Sequence, residues 1–205
     1  PGKIPNTHSG TGMLMGLLPE QAKRLKRGPV EAAGAGFELA PGDIAVRVNF
    51  ATLEHRDGVL MVTDRRAGRI ASGTAELTAS LAGIDLGDDV QARLVSTDHY
   101  RCVLVLSGLG LSDAISDTDP GDIGMPARLE SCRPLKPHAE FTASKMNLFI
   151  REAHKILDGH PVNIARVASG KPAANGIITR SAGSGFKIEN LLHHIGMRAA
   201  VVSGC

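Results

Sequence analysis

The residues best suited to chemistry sit together in the first third of the chain. Asp64-Arg65-Arg66-Ala67-Gly68-Arg69 puts three guanidiniums and a carboxylate in one short stretch. Guanidinium forks bind phosphate and carboxylate through paired N–H donors, so the pattern suits capture of a compact anion. A solvated basic turn would have the same composition. A second candidate precedes it. Pro5-Asn6-Thr7-His8-Ser9-Gly10-Thr11-Gly12 is polar and glycine-rich, and apolar Met13, Leu14, Met15, Leu17 and Leu18 follow. Hydroxyl residues ahead of a helix are ordinary N-caps. They are also where a nucleophile can be presented to a phosphate, because exposed N–H groups and the helix dipole favour anions. The lysine of a P-loop is missing. Asp117, Asp119 and Asp122 suggest a cation site, but the glycine and closing glutamate of an EF-hand loop are absent.

The elements that must position these groups are legible from periodicity. Ile44–Thr52 is apolar at 44, 46, 48 and 50 and carries Arg47 and Asn49 on its other face, which is strand alternation. Glu54–Gly58 supplies a turn with an Asp-Gly pair, and Val59–Val62 returns. Helices are expected from Met13, over Glu20–Lys26, from Pro29, and over Thr74–Ala82. The clearest is Ala139–Leu157, where Phe141, Met146, Phe149, Ile150, Ala153, Ile156 and Leu157 recur at three- and four-residue steps before Gly159. Val90–Ser96 and Cys102–Leu106 are expected to pair as strands, and Leu109–Asp122 to form a loop. Ile177–Thr179, Ile188–Ile195 with His193 and His194, and Ala199–Val202 read as strand, helix and strand, a unit that makes a parallel pair. The fold class is α/β, a mixed sheet with flanking helices.

Composition narrows the function. Aromatic content is 3%, with no Trp and one Tyr, too few for base-stacking platforms. Net charge is +2, from 23 basic and 21 acidic residues, so there is no general attraction to nucleic acid or an anionic membrane. Apolar runs fall short of the roughly 20 residues that a membrane span needs. Cys102, Cys132 and Cys205 show no metal-ligand spacing, and a reducing cytoplasm is the expected location. The start at Pro1 and the stop after Val201-Val202-Ser203-Gly204-Cys205 suggest a piece of a longer polypeptide. Oligomeric state is not legible.

Several short strings then coincide in order. They are Leu14-Met15-Gly16, Arg27-Gly28-Pro29-Val30-Glu31-Ala32, Gly42-Asp43-Ile44 through Phe50-Ala51-Thr52, and Asp64-Arg65-Arg66-Ala67-Gly68-Arg69-Ile70. Ser112-Asp113-Ala114-Ile115, Asp117-Thr118-Asp119-Pro120, His160-Pro161-Val162-Asn163 and Gly170-Lys171-Pro172-Ala173-Ala174-Asn175 follow. Together they resemble the archaeal-type cofactor-independent phosphoglycerate mutases of the alkaline phosphatase superfamily.

The resemblance implies a metal-dependent isomerase that interconverts 3-phosphoglycerate and 2-phosphoglycerate through a phospho-enzyme. It implies two divalent metals (Mn, Mg or Zn) in the complete enzyme, held largely by segments outside this one. It also implies a division of the chain. Residues 1–26 would be the nucleophile loop and helix, 27–185 an inserted substrate-binding domain, and 186–205 the return helix and strand. The family's nucleophile string Pro-Gly-Ser-Asp falls on Pro5-Asn6-Thr7-His8, which makes Thr7 the nucleophile and a metal contact, with Ser9 and Thr11 as alternatives. His8 departs from the family's Asp. Arg65, Arg66 and Arg69 would hold the phosphate and carboxylate of a small phosphorylated substrate, with Asp64, Arg47, Asn49, Arg101, Arg166 and Lys171 in support. His99 and His160 suit either a structural bond or substrate contact. Two other readings stay open: a paralogue acting on another phosphorylated or phosphonate metabolite, and a non-catalytic anion-binding module. No metal pair is expected in this chain by itself. The purified 205-residue chain is therefore expected to show no mutase or phosphatase turnover with added Mn²⁺, and turnover in that assay would overturn the expectation.

Overall fold

The alternation of Ile44–Thr52 continues beyond the stretch that announces it. In the computed structural model, which describes residues 7–14, 17–121 and 124–185, strand β1 runs Ile44–Arg56 and β2 runs Val59–Asp64. The turn is only Asp57-Gly58, with φ of 51° and 76°. Both central residues are thus left-handed, as a two-residue type I′ hairpin requires. Glu54, His55 and Arg56, expected in the turn, are strand residues paired with Met61, Leu60 and Val59.

β1 is the spine of a six-stranded sheet. Its first half lies between β4 (Arg101–Ser107) and β6 (Gly176–Ser184), and its second half pairs with β2. β3 (Gln91–Asp98) flanks β4, and the two-residue β5 (Ala127–Arg128) flanks β2. Every pairing among the described residues is antiparallel. The parallel pair, the helix at 188–195 and the strand at 199–202 lie outside the described residues.

β6 is longer than its sequence suggests. Arg180-Ser181-Ala182-Gly183-Ser184 reads as loop, yet it pairs with β1 through a bulge that leaves Ser181 at φ 57°. Backbone pairing with a central strand overrides weak strand propensity here.

The two faces of β1 differ. Ile44, Val46, Val48 and Phe50 join Cys102, Leu104 and Leu106 in the main core. Helix α4 (Thr74–Ser80) and helix α5 (Glu140–Asp158) close that core through Leu77, Met146, Phe149 and Leu157. Burying each such side chain contributes roughly 1.5–3 kcal/mol. The other face carries Ala45, Arg47, Asn49 and Ala51. Helix α3 (Arg27–Gly34) covers Ala45, Val103 and Val105 with Ala32, while Ala51, Leu53, Val62 and Ile178 form a small cluster further along. Arg47 and Asn49 lie between these two apolar patches. Helix α6 (Pro161–Ala168) is tied by Asn163, whose Nδ2 donates to Leu157 O (2.8 Å) and Ala174 O (3.1 Å), and whose Oδ1 accepts from Ala174 N (2.7 Å).

The chain divides into two compact units, residues 27–185 and residues 1–26 with 186–205. In the smaller one, helix α1 is Thr7–Leu14 and helix α2 is Pro19–Arg24. The expected loop through Gly12 is thus helix from Thr7 onward. Gly12 has a packing reason to sit there, since a Cβ would meet Leu25 Cδ1 at 2.6 Å and Leu17 Cδ1 at 2.9 Å.

Gly28 has a similar role in the larger unit. A Cβ there would lie 2.1 Å from Ala45 O and 2.9 Å from Ser181 O, so α3 rests directly on the backbones of β1 and β6. Gly28→Ala must push that helix away, and we expect a loss of roughly 2 kcal/mol, the usual scale of overpacking. The denaturant midpoint checks this, and an unchanged midpoint would contradict the contact.

Candidate functional site: an arginine-lined cleft

The turn after β2 is built by its own side chains. Asp64 Oδ1 accepts from Arg66 N (2.8 Å) and Oδ2 from Gly68 N (2.6 Å), so one carboxylate caps two amides of the turn. Ala67, Gly68 and Arg69 then run through three successive left-handed conformations, with φ of 46°, 61° and 54°. Glycine adopts this region freely, whereas other residues lose about 1–2 kcal/mol each. The surroundings offset that cost. Arg166 Nη2 donates to Ala67 O (2.8 Å) while its Nε donates to Pro172 O (3.0 Å). Ala67 is fully buried.

Arg65, expected to hold substrate, is held by a carboxylate of the protein. Its Nε and Nη2 make a bidentate pair with Asp119 Oδ1 (2.6 Å) and Oδ2 (2.9 Å). The two side chains are 12% and 3% exposed. Burial works to raise the Asp119 pKa. Hydrogen bonds from Arg65 and Gly121 N–H, with the charges of Arg65 and Arg180, outweigh it and hold the carboxyl below its ordinary value. Asp119 is thereby engaged in an ion pair and does not stand ready for a cation. Asp117 Oδ1 accepts from Ser181 N (2.8 Å), and Asp122 lies outside the described residues. Among the described residues no group of three or more His, Cys, Asp or Glu could hold a metal ion.

Asp64, Arg65, Arg66, Gly68, Arg69 and Met125 line an open cleft of about 560 Å³, a size suited to a small ligand. Arg66 and Arg69 are exposed and form no ion pair among the described residues. All three line the cleft, but Arg65 is paired with Asp119 while Arg66 and Arg69 have no ion pair among the described residues. Asp64 and Arg166 hold the backbone.

The other expected residues do not line that cleft. Arg47 is 2% exposed, and its Nη1 bonds Glu31 Oε1 (2.8 Å), which also takes Arg27 Nε (2.7 Å). Asn49 Nδ2 reaches Arg65 O at 3.5 Å. Arg101 Nη1 pairs with Asp98 (2.7 Å), and His99 Nδ1 pairs with the same carboxylate group. His160 is structural, its Nδ1 accepting from Val162 N (3.2 Å) at the start of α6. Lys171 is exposed. Thr7 opens α1 in the other unit, and His193 and His194 lie outside the described residues. Sequence reasoning missed Arg180 and Glu31. The cross-strand pairing of Arg47 with Arg180 would have exposed the first.

The fold and cleft define an α/β protein whose larger unit carries an arginine-lined cleft. The sequence profile of the 2,3-bisphosphoglycerate-independent phosphoglycerate mutases matches residues 3–163, and the chain belongs to that family. It is 41% identical to the 2,3-bisphosphoglycerate-independent phosphoglycerate mutase of Methanopyrus kandleri over 207 aligned positions, covering 100% of this chain and 48% of that protein. The Ignicoccus hospitalis protein of the same name is 40% identical, with 98% and 49% covered. The solved cofactor-independent phosphoglycerate mutase from Thermoplasma acidophilum superposes with a TM-score of 0.70 at 41% identity, over 86% of this chain and 46% of that one. The chain thus spans about half the length of the relatives it matches. No helix among the described residues is long and apolar enough to cross a membrane.

Asp119→Asn tests the turn's anchor. Because the folded-state pKa is lowered, the carboxylate adds stability that is present above its unfolded pKa, about 3.9, and is lost as pH falls through the folded value. Urea unfolding at pH 7 should show a loss of about 3 kcal/mol on breaking the buried pair. The difference between parent and variant should shrink below about pH 4. A pH-independent difference would refute the assignment.

Proposed function

We propose that residues 27–185 are the substrate-binding domain of a phosphoglycerate mutase, inserted in a catalytic domain that includes residues 1–26 and 186–205. In this reading the cleft holds a phosphorylated carboxylate while its phosphoryl group moves between the 3- and 2-oxygens. The observation that carries it is the presentation of Arg66 and Arg69 on a turn locked by Asp64, Arg166 and the Arg65–Asp119 pair. Two cations carried on a fixed backbone can keep a re-oriented dianion from escaping between transfers, and fixing the backbone beforehand reduces the ordering cost of binding. Family membership and the names of the relatives support the reading.

In the transfer itself a hydroxyl, assigned to Thr7 with Ser9 and Thr11 as alternatives, would accept the phosphoryl group from one substrate oxygen, and its proton would end on that departing oxygen. It would then return the group to the neighbouring oxygen, so that no group is gained or lost. Two divalent ions, expected from the family, would supply activation of the hydroxyl and charge neutralisation when bound. The described residues do not fit such a pair, and no step here is assigned through it. Membership of the alkaline phosphatase superfamily, a glycolytic role and a cytoplasmic setting belong to the same proposal. The buried free thiols of Cys102 and Cys132 are compatible with a reducing compartment.

A paralogue acting on another phosphorylated or phosphonate metabolite is the second reading, favoured by His8 where the family string has Asp. The complete polypeptide containing this chain separates the two. We expect interconversion of 3- and 2-phosphoglycerate, and we expect Arg66→Gln/Arg69→Gln to raise KM at least roughly tenfold with a smaller change in kcat, the pattern for lost binding that is common to ground and transition states. Turnover of a phosphonate panel with none of phosphoglycerate would favour the paralogue.

A further inference from the structure

Two histidines that no step above uses meet where the end of β1 reaches α5. His55 lies near the end of β1, opposite Leu60 of β2. His154 lies in the last two turns of α5. Their ring centroids are 5.9 Å apart and the rings are inclined at 47°. His55 is exposed and His154 half-buried, so solvent reaches both.

The spacing suits either of two arrangements. Aromatic pairs place their centroids about 4.5–7 Å apart. One metal ion shared by two imidazoles gives nearly the same figure. Zinc–nitrogen bonds are about 2.0–2.1 Å long, and with the ring radius added, two rings on one ion at a tetrahedral or wider angle have centroids about 5–6 Å apart.

The surroundings of His154 favour the ion. Its Nδ1 lies 2.7 Å from Asn175 O. A carbonyl oxygen only accepts, so Nδ1 carries the proton and donates. The neutral ring then keeps its lone pair on Nε2, free for a metal. Ligating histidines characteristically donate their other N–H to a carbonyl or carboxylate in this way, which fixes tautomer and orientation. The carbonyl is itself held. Asn175 is buried, and its side chain accepts from Leu53 N (2.8 Å) and donates to Leu53 O (3.0 Å) and Asp158 Oδ1 (2.8 Å). These bonds join β1 to α5 beside the histidines, since Leu53 is two residues before His55 and Asp158 one turn after His154. An aromatic contact needs none of this. The His55 side chain has only the ring contact among the described residues, so its nitrogens are not committed to another group.

We infer that His55 and His154 form a two-histidine site for a divalent ion of the later first transition row, such as Zn²⁺, with water completing the coordination. Imidazole nitrogen suits such ions, whereas Mg²⁺ and Ca²⁺ take oxygen. Two protein ligands are fewer than structural and catalytic zinc centres use, so the ion is an exchangeable clip between strand and helix. The unfolded chain has no such pair in place, and occupancy therefore stabilises the fold by mass action. The inference is independent of the capture reading, because it uses none of the cleft residues.

The test titrates the 205-residue chain with Zn²⁺, reading affinity by calorimetry and each imidazole by NMR of its ring nitrogens. The sequence has eight histidines, so the response must be followed residue by residue. The His55 and His154 signals should move together over one range of Zn²⁺, and the urea midpoint should rise. His55→Gln removes one ligand from an exposed position. It should weaken Zn²⁺ at His154 at least about tenfold, because even the loss of an outer partner costs about ten- to hundredfold, and it should shrink the rise in midpoint. His55→Phe keeps the ring contact, loses the nitrogen and should behave like His55→Gln. If His154 responds as strongly in both variants as in the parent, or if only other histidines respond, the two rings are an aromatic contact only and the site is wrong. Mg²⁺ that displaces Zn²⁺ from His154 at equal concentration would overturn the assignment to imidazole nitrogen.

Discussion

A carboxylate that is 3% exposed can remain charged only where cations surround it, and Asp119 lies between two. Desolvation alone would favour its neutral form, and the paired donors of Arg65 reverse that preference. Much of the candidate site depends on this one contact. It draws the loop from 109 to 121 onto the turn that follows β2. Thr118 N and Asp119 N donate to Thr179 O (2.9 and 3.2 Å), which ties the same loop to β6. Without the pair the left-handed residues beyond Arg65 would lose one of their anchors.

Around that contact the domain separates its apolar and ionic work by sheet face. One side of β1 is hydrocarbon from Ile44 to Phe50 and meets α4 and α5. The other is apolar at both ends and ionic in the middle. The same strand reaches Arg47 and the turn that carries the cleft. Arg47 and Asn49 are in its first half, and Thr52 in its second half pairs with Asp64, the residue that caps the turn. Gly28 lets α3 approach closely enough that Glu31, one turn later, reaches the buried Arg47.

The sequence revealed what local periodicity controls. The alternation of β1, the Asp57-Gly58 reversal, the β3–β4 pair and the apolar stripe of α5 all stand in the structure where their patterns put them, with ends shifted by a few residues. What was not legible depends on partners distant in the chain. Ser181 to Ser184 is a strand because β1 offers it a ladder, and no property of Ser-Ala-Gly-Ser predicts that. Helix α1 starts at Thr7 although Gly10 and Gly12 argue for a loop, and at Gly12 the missing side chain is what allows Leu17 and Leu25 to approach. The site shows the same limit. Three neighbouring arginines look equivalent in a string of letters. Only the fold shows that Arg65 has a buried carboxylate and that Arg66 and Arg69 have none among the described residues. Arg180 was overlooked because its relation to Arg47 exists across strands, 133 positions apart.

The segment from Ala67 to Arg69 coils against the natural hand of an L-peptide. Nothing in its own sequence except Gly68 favours that shape, so an excised peptide would abandon it. Its geometry is imposed by tethers from Asp64 and Arg166. When a tether is lost, the nearest alternative is a broad ensemble, because a right-handed turn of the same three residues would not keep both sets of bonds. Presentation of the two guanidiniums is therefore close to all-or-none.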